Sequence, residues 1–250
     1  MSDKQKVVAI LPSRIESSRL PRKALLDICG LPMIVHVFKR CLLAKKLDEV
    51  YVATDSNEIK EVVEKHGGRV IMTSSNHQTG TDRIAEAAKN IDAEIVVNVQ
   101  GDEVLVNPKY IDKVVDELLE NPDINVGILV NPYFKKNSPS DIKVVLNNNN
   151  DVLYASRSDI PSDSRTKDPS KLKAYHIVPF RKPFLLKFSK WEKGTLEKIE
   201  FNEYLRILEH GERFRAVLVD SDAVSVDTYE DLEYVRKIML EDELFEIYKS

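Results

Sequence analysis

Cysteine, tryptophan and glycine are scarce in this chain, which contains 2 Cys, 1 Trp and 8 Gly among 250 residues. The two cysteines, Cys29 and Cys41, lack the spacing of a metal site and of a disulfide framework. Cys41 falls in an apolar segment with helical periodicity, so we expect an ordinary buried thiol there. The cysteine pattern therefore excludes a zinc-bound or disulfide-stapled scaffold.

Three glycine-containing signatures are also absent. No G-x-G-x-x-G follows the first predicted strand, which argues against the usual dinucleotide-binding fold. No G-x-x-x-x-G-K-[ST] occurs, which argues against a P-loop ATPase. No G-x-S-x-G occurs, so the nucleophile elbow of the α/β-hydrolases is missing as well.

No apolar run approaches the length of a membrane span, and the polar first residues lack the apolar core of a signal peptide. We therefore expect a cytoplasmic protein with no membrane partner. The net charge is −4 at pH 7, so we also expect no nucleic-acid partner. A local basic loop inside an acidic protein favours a small anionic ligand instead.

Strand and helix signals alternate through the first half of the chain. The predicted strands are Lys6–Leu11, Glu49–Ala53, Arg69–Met72 and Glu94–Val99. The predicted helices are Met33–Lys46, Asn57–His66, Asp82–Lys89 and Pro108–Leu119. This order predicts an α/β fold in which helices cover both faces of a mostly parallel sheet. Ligands bind such sheets beyond the carboxyl ends of the strands.

From about Asn131 the alternation changes, and residues 131–220 are predicted to form an antiparallel lobe inserted within a single domain of residues 1–250. The predicted strands of this second half are Asp141–Leu146, Val152–Ser156, Lys173–Phe180, Phe214–Val219 and Val224–Val226. The predicted helices are Pro183–Phe188, Leu196–Glu209 and Thr228–Leu240. The polar segment Pro161–Leu172 is predicted to be a mobile loop.

A basic loop follows the first predicted strand, and its four cations are Arg14, Arg19, Arg22 and Lys23. Proline fixes the backbone angle φ, so Pro12 and Pro21 are expected to stiffen the two ends of this loop. Arginine and lysine are the residues that recognise phosphate, so the loop fits a polyphosphate. The alternative is a basic loop that is exposed to solvent and binds no ligand.

Asp102 follows the apolar strand Glu94–Val99, within Gln100-Gly101-Asp102-Glu103. A carboxylate at the carboxyl end of a strand can hold Mg²⁺, which takes oxygen ligands and keeps waters and substrate phosphates. Gly101 permits close backbone approach. The alternative is a turn aspartate that binds its own backbone.

Asp227 precedes the last predicted helix and has Glu230 three residues later. This spacing predicts that Asp227 is a helix N-cap within a capping box. A capping carboxylate can also turn one oxygen toward a metal ion, so the two roles are compatible.

The segment His77–Arg83 combines hydroxyl side chains with Gly80 at the start of a predicted helix. Such a loop can bind a nucleotide base or ribose through its backbone groups. The alternative is a simple helix N-cap by Thr81 or Asp82.

Taken in chain order, these segments and several others resemble the CMP-Kdo synthetase family, the 3-deoxy-manno-octulosonate (Kdo) cytidylyltransferases. The matching stretches are Leu11–Arg14, Ser18–Lys23, Val52–Asp55, Thr79–Arg83, Val97–Glu103, Lys143–Val145, Leu153–Arg157, Ile160–Pro161, Glu203 with Leu205–Arg206, and Val226–Leu232. The resemblance spans nearly the whole chain.

The resemblance implies a nucleotidyltransferase fold with an inserted dimerisation lobe, a homodimer, and Mg²⁺ as cofactor. It implies that CTP and a 3-deoxy-ulosonic acid react to give a CMP-sugar and pyrophosphate. Such a reaction depends on positioning and charge neutralisation, because both reactants are anions.

The resemblance also assigns roles to individual residues. The implied catalytic residues are Lys23, Asp102 and Asp227, of which the two aspartates are the metal ligands. The implied nucleotide-binding residues are Arg14, Arg19, Lys23, Thr79, Gly80, Thr81, Arg83 and Gln100. The implied sugar-binding residues are Arg157, His176, Glu203 and Tyr204.

The chain departs from the family pattern at several of these positions. Arg22 stands where the family usually has the glycine of Leu-Pro-Gly-Lys. Ala174 replaces a sugar-contacting histidine, and His176 is expected on the same strand face two residues later. Tyr204 replaces a sugar-binding glutamine. The acceptor is therefore either Kdo, an altered ulosonic acid or another small acid.

Two further alternatives are a non-catalytic nucleotide-binding protein on the same scaffold and a nucleotidyltransferase that uses a base other than cytosine.

Overall fold

The computed structural model describes residues 4–17, 19–166, 169–221 and 224–249. Ser18 of the basic loop and residues 167–168 of the predicted mobile loop lie outside the described residues.

The strands are β1 (Val7–Ser13), β2 (Asp27–Ile28), β3 (Leu31–Pro32), β4 (Glu49–Thr54), β5 (Arg69–Met72), β6 (Ile95–Val99), β7 (Gly127–Tyr133), β8 (Lys143–Leu146), β9 (Val152–Ser156), β10 (Lys171–Tyr175), β11 (Ile177–Arg181) and β12 (Arg215–Leu218). The α-helices are α1 (Met33–Cys41), α2 (Asn57–Lys65), α3 (Gly80–Ala88), α4 (Pro108–Glu120), α5 (Lys182–Phe188), α6 (Thr195–Glu200), α7 (Leu205–Glu209), α8 (Tyr229–Met239) and α9 (Glu243–Tyr248). A short 3₁₀ helix covers Lys23–Leu25.

The first sheet has five strands in the order β11-β6-β1-β4-β5. The four strands from the first half of the chain are parallel, and β11 joins the edge antiparallel to β6. The continuous apolar character of β1 is explained by its burial along its whole length. The predicted parallel sheet is therefore confirmed.

Hydrophobic cores cover both faces of this sheet. Val7, Ala9 and Leu11 of β1 pack into one core, whereas Val8 and Ile10 pack into the other. The first core is completed by α1, α2, α4, α8 and α9, and the second by α3, α5 and α7. This is the predicted three-layer arrangement.

The second sheet has the order β12-β7-β10-β8-β9 and is antiparallel except for the β12–β7 pair. Residues 131–220 hold most of this sheet, but β7 begins at Gly127. Within that range, β11 belongs to the first sheet.

The predicted strand Lys173–Phe180 is wrong as a single element. Tyr175 ends β10 and pairs with Leu129 in the second sheet, while Ile177 begins β11 and pairs with Val99 in the first. His176 lies at the crossing point. Periodicity could not reveal the crossing, because both sheets bury these residues and the apolar run is nearly continuous.

The predicted helix Leu196–Glu209 is two helices, α6 and α7. The chain breaks at Phe201, whose φ of 49° is left-handed and ends α6. Smaller errors remain. Helix α1 ends at Cys41 rather than Lys46, and β10 begins at Lys171, inside the predicted loop Pro161–Leu172. Strand β7 and helix α9 were not predicted.

The predicted strand Val224–Val226 is wrong, because these residues have no strand structure. One backbone hydrogen bond, from Val226 N to Asp102 O at 3.2 Å, joins them to the segment that follows β6. Among the described residues, no helix is both long enough and apolar enough to cross a membrane.

Candidate active site

The candidate site lies at the carboxyl edge of the first sheet. β1 and β6 are parallel neighbours, with Ile10 opposite Asn98, so the basic loop after β1 and the segment after β6 leave the sheet side by side. This is the edge where α/β sheets bind ligands.

A cavity of about 830 Å³ opens between these segments. Its lining includes the four loop cations and three residues from elsewhere: Arg14, Arg19, Arg22, Lys23, Gln100, Asp102 and Asp227. The loop is therefore a cavity wall rather than a purely solvated segment.

Asp102 and Asp227 meet at one atom, the Nζ of Lys23. This ammonium lies 2.6 Å from Asp102 Oδ2 and 3.1 Å from Asp227 Oδ1. The guanidinium of Arg19 adds a contact of 2.8 Å to the same Asp227 oxygen. The backbone bond from Val226 N to Asp102 O holds the two segments together. Residues distant in sequence thus form one charged cluster.

The pKa of Lys23 reflects two opposing effects. Burial lowers the pKa of Lys23, but the charges and hydrogen bonds of Asp102 and Asp227 outweigh that effect, and the net pKa is raised. The side chain is therefore a fixed cation at neutral pH.

The two aspartates have the chemistry of ligands for a divalent metal ion. The described residues contain no group of three or more His, Cys, Asp or Glu side chains arranged for a metal ion. Two carboxylates are nevertheless the number of protein ligands typical of Mg²⁺ sites that share substrate phosphates. The ammonium of Lys23 stands between them where a metal cation would balance the same charge.

The predicted N-cap role of Asp227 is wrong. Thr228 is the N-cap of α8, and its partner in the capping box is Asp231 rather than Glu230. The cap lies one residue later because Thr228 Oγ1 accepts from the Asp231 amide at 3.1 Å. The carboxylate of Asp227 is thereby left to face Lys23 and Arg19.

The segment before α3 forms a second part of the site. Thr79, not Thr81 or Asp82, caps α3 by accepting from the Asp82 amide at 3.1 Å. A cavity of about 90 Å³ adjoins this cap and is lined by Pro12, Ser13, Arg14, His77, Thr79, Gly80, Arg83 and Gln100.

The conformation of this small cavity depends on two residues. A Cβ on Gly80 would lie 3.2 Å from Pro12 Cγ and 3.3 Å from Gln100 Nε2, so a larger residue would crowd the cavity. Arg83 is buried, and its guanidinium binds Thr73 at 2.6 Å and Asp55 at 3.3 Å. Arg83 therefore fixes the loop through contacts within the protein.

A cavity of about 610 Å³ lies on the other side of the aspartates. All four residues implied as sugar-binding line it: Arg157, His176, Glu203 and Tyr204. Arg19, Gln100, Asp102 and Asp227 line both this cavity and the larger one. The charged cluster around Asp102 and Asp227 therefore lies where the 830 Å³ and 610 Å³ cavities meet.

His176 and Tyr204 form a stacked pair, with ring centroids 6.1 Å apart and planes inclined by 23°. Burial lowers the pKa of His176 to about 4, with Asp102 opposing the shift. The imidazole is therefore neutral at pH 7. Ala174 lines the same cavity as His176, although a strand boundary separates them.

Arg157 braces the wall of this cavity. Its guanidinium donates to the backbone oxygens of Glu200 at 2.8 Å, Pro139 at 2.8 Å and Phe201 at 3.2 Å. These bonds join the segment before β8 to the α6–α7 break, and they use most of the guanidinium donors.

Glu203 links the 610 Å³ cavity to the start of helix α3. Its Oε1 accepts from Thr81 Oγ1 at 2.7 Å. Burial raises the pKa of Glu203, although hydrogen bonds from Thr79 and Thr81 favour the ionised form.

Comparison with known proteins then gives a family. A model of the family described as "Cytidylyltransferase" matches residues 8–214. The chain belongs to the cytidylyltransferase family. A 3-deoxy-manno-octulosonate cytidylyltransferase of Syntrophus aciditrophicus is 42% identical over 243 residues, covering 94% of this chain and 98% of that protein. Its counterpart in Geobacter sulfurreducens is 43% identical over 243 residues, covering 92% and 97%.

A solved structure agrees with this assignment. The structure of CMP:2-keto-3-deoxy-manno-octonic acid synthetase complexed with CTP matches this chain with a TM-score of 0.91 at 36% identity. The match covers 94% of this chain and 99% of that one. The predicted family, nucleotidyltransferase fold and enzyme class are confirmed.

Sequence reasoning gave no role to Asn98, which holds this cytidylyltransferase's site together. Asn98 is fully buried in β6. Its Nδ2 donates to Tyr204 Oη at 3.1 Å and Thr81 Oγ1 at 3.3 Å, and its Oδ1 accepts from Gln100 Nε2 at 2.9 Å. The sequence feature that could have indicated this role is the presence of an amide within an otherwise apolar strand, because a buried polar group requires hydrogen-bond partners.

Proposed function

We propose that this protein transfers the cytidylyl group of CTP to the anomeric hydroxyl of Kdo and releases pyrophosphate. The observation that carries the proposal is the pair formed by Asp102 and Asp227, which lines a cation-rich cavity on one side and a sugar-sized cavity on the other. A reaction between two anionic substrates requires such a junction.

The larger cavity is proposed to hold the triphosphate. Arg14, Arg19 and Lys23 line it and supply the cations that offset the charge of CTP. The small cavity beside α3 is proposed to receive the cytosine base, with Thr79, Gly80, Thr81, Arg83 and Gln100 forming or supporting its wall.

Asp102 and Asp227 are proposed to hold Mg²⁺. When bound, the metal neutralises phosphate charge and makes the α-phosphorus more electrophilic. Lys23 would leave its position between the carboxylates and turn to the nucleotide phosphates.

Arg157, His176, Glu203 and Tyr204 are proposed to shape the sugar site. Because His176 is neutral, it offers hydrogen bonds rather than charge. Lys173 also lines this cavity, where its ammonium lies 3.3 Å from Asp141, and it contributes positive charge for a sugar carboxylate.

The anomeric oxygen then attacks the α-phosphorus from the sugar side. A bond forms between these two atoms, the bond from the α-phosphorus to the bridging oxygen breaks, pyrophosphate departs, and the hydroxyl proton is released. The protein needs no nucleophile of its own, since its residues act by positioning and charge.

The direct test is pyrophosphate release from CTP and Kdo in the presence of Mg²⁺, with product detection by mass spectrometry. Formation of CMP-Kdo supports the proposal. CTP turnover only with another acid would instead favour the altered acceptor that Ala174 and Tyr204 suggest. CTP binding without turnover on any ulosonic acid would favour a non-catalytic protein.

We also propose a homodimer that acts in the cytoplasm, where CTP is available. The proposed dimer surface lies on the second sheet and its helices, where large apolar side chains are exposed: Phe134, Leu153, Ile199, Phe201 and Leu218. Light scattering coupled to size exclusion measures the mass directly, and a monomer at micromolar concentration would refute this part.

A further inference from the structure

Arg22 has a backbone conformation that arginine rarely adopts. Its φ of 56° and ψ of 32° are left-handed, and it immediately precedes the 3₁₀ helix that begins at Lys23. This conformation disfavours any side chain with a Cβ, whereas glycine adopts it freely. An arginine at a position that favours glycine suggests that its side chain has a use.

The Arg22 side chain pairs with a carboxylate other than the two aspartates of the site. Arg22 lines the cavity, but its guanidinium forms an ion pair with Glu58 in the first turn of α2. Arg19 and Lys23, in contrast, contact Asp227. The loop therefore presents cations at two places, one beside the proposed metal ligands and one beside α2.

The ion pair between Arg22 and Glu58 is easily exchanged. The two side chains are 59% and 42% exposed, and ion pairs between such exposed groups contribute little to stability. A phosphate chain carries more charge than one carboxylate and matches the guanidinium fork with paired oxygens. A polyphosphate entering the cavity can thus displace Glu58 from Arg22.

We propose that Arg22 binds the β- and γ-phosphates of the nucleotide, and the pyrophosphate formed from them, and that Glu58 competes for Arg22 when the cavity is empty. This inference rests on the proposed function, since it places the α-phosphate beside Asp102 and Asp227. The far phosphates then extend toward α2.

The test compares three ligands in Arg22→Gly, a variant that keeps the backbone conformation without strain. Calorimetry with Mg²⁺ and without acceptor measures the dissociation constants for CTP, pyrophosphate and CMP. We expect CTP and pyrophosphate to bind roughly tenfold or more weakly, as for the loss of a charged hydrogen-bonding group, and CMP to be unchanged. Unchanged CTP binding, or equal losses for CTP and CMP, would overturn the proposal.

Glu58→Gln tests the competing carboxylate. We expect it to tighten CTP and pyrophosphate binding a few-fold in the wild-type background and to have no effect in Arg22→Gly. Glu61→Gln is the matched control, because Glu61 is an exposed residue of the same helix and its loss removes the same charge. If both substitutions tighten binding equally, the loss of a negative charge from the helix explains the effect, and the specific role of Glu58 is refuted.

The outcomes also separate this inference from the proposed function. Wild-type protein that binds pyrophosphate but does not turn over CTP would refute the function, while the effect of Arg22→Gly on pyrophosphate would still decide the inference. Turnover of CTP with unchanged affinities in Arg22→Gly would refute the inference alone.

Discussion

Asp102 and Asp227 direct carboxylate oxygens at the same ammonium, at 2.6 Å and 3.1 Å from Lys23 Nζ. One aspartate follows a central strand and the other precedes the helix α8. Because removal of either leaves the fold's cores untouched, the pair can be tested by substitution without unfolding the protein.

Asp102→Asn and Asp227→Asn are each expected to reduce turnover by at least about 100-fold, since each removes charge from the proposed metal site. Pyrophosphate release measures the effect, and circular dichroism checks the fold. Asp123→Asn is the control, because Asp123 is 77% exposed and pairs with Arg213 far from the site. Near-normal activity in either site variant would remove that aspartate from the metal assignment.

Lys23→Met is expected to separate metal binding from catalysis. Without the ammonium, the two carboxylates repel each other and no internal cation competes for them, so Mn²⁺ should bind at a lower concentration in the absence of nucleotide. Turnover should nevertheless fall, because the triphosphate loses a cation. Electron paramagnetic resonance of free Mn²⁺ measures the affinity, and unchanged or weaker binding would contradict the expectation.

The features that could be predicted from the sequence are those that depend on local pattern, such as the alternation of strands and helices and the loops that follow strands. The strand–helix alternation through Leu119 predicted the parallel sheet, and the position of Asp102 after an apolar strand placed it at the ligand-binding edge. The basic loop was likewise predicted to face a ligand because it follows the first strand.

Features that depend on tertiary contacts could not be predicted in this way. The chain changes sheets at His176 without any change in apolar character, and the α6–α7 break depends on a left-handed Phe201. The hydrogen bonds of Arg157 go to backbone oxygens of segments that only the fold brings together. Asp227 with Glu230 has the spacing of a capping box, but Thr228 with Asp231 has the same spacing one residue later and forms the cap.

His176 is expected to make stability depend on pH in the acidic range. Burial lowers its pKa to about 4, whereas a histidine in an unfolded chain titrates near about 6.5. Between these values the unfolded chain binds a proton that the folded protein excludes, so the free energy of unfolding falls as pH drops from about 6.5 toward 4. The charged groups acting on the ring are Asp102, Asp227, Lys173 and Arg157.

Urea unfolding at pH 7, 6 and 5 tests this dependence in wild type and in His176→Phe, which keeps an aromatic ring beside Tyr204. The variant should lose less stability on acidification. Parallel curves for the two proteins would show that His176 does not carry the effect.

Asp242 is expected to be essential for docking of the last helix. Its carboxylate lies 2.7 Å from the guanidinium of Arg40, whose side chain is 1% exposed, and it also caps α9 through the Phe245 amide at 2.8 Å. Asp242→Ala leaves the buried guanidinium of Arg40 without its carboxylate, so we expect the free energy of unfolding to fall by about 3 kcal/mol or more. Glu246→Ala, which removes an exposed partner of Lys249, should cost under about 0.5 kcal/mol. Similar losses in both variants would contradict this account.

Asn98 is expected to couple the nucleotide and sugar sides of the site. Asn98→Leu keeps the branched shape and the number of heavy atoms of the side chain but leaves the hydroxyls of Tyr204 and Thr81 and the amide of Gln100 without this partner, at a cost of about 1 to 3 kcal/mol. Tyr204→Phe removes one of these bonds and should cost about 1 kcal/mol. Urea unfolding gives both values.

The double variant Asn98→Leu/Tyr204→Phe distinguishes a shared bond from two independent defects. If the 3.1 Å bond between Asn98 Nδ2 and Tyr204 Oη stabilises the site, the two losses overlap, and the double variant is less destabilised than their sum. In kinetics, Asn98→Leu should raise KM for CTP through Gln100 and KM for the sugar acid through Tyr204, while Tyr204→Phe should raise only the second. A buried amide that positions both substrates cannot be removed without moving Gln100, so Asn98→Leu should change KM for CTP. If KM for CTP is unchanged and the losses in unfolding free energy of the two single variants add up in the double variant, Asn98 only fills the core.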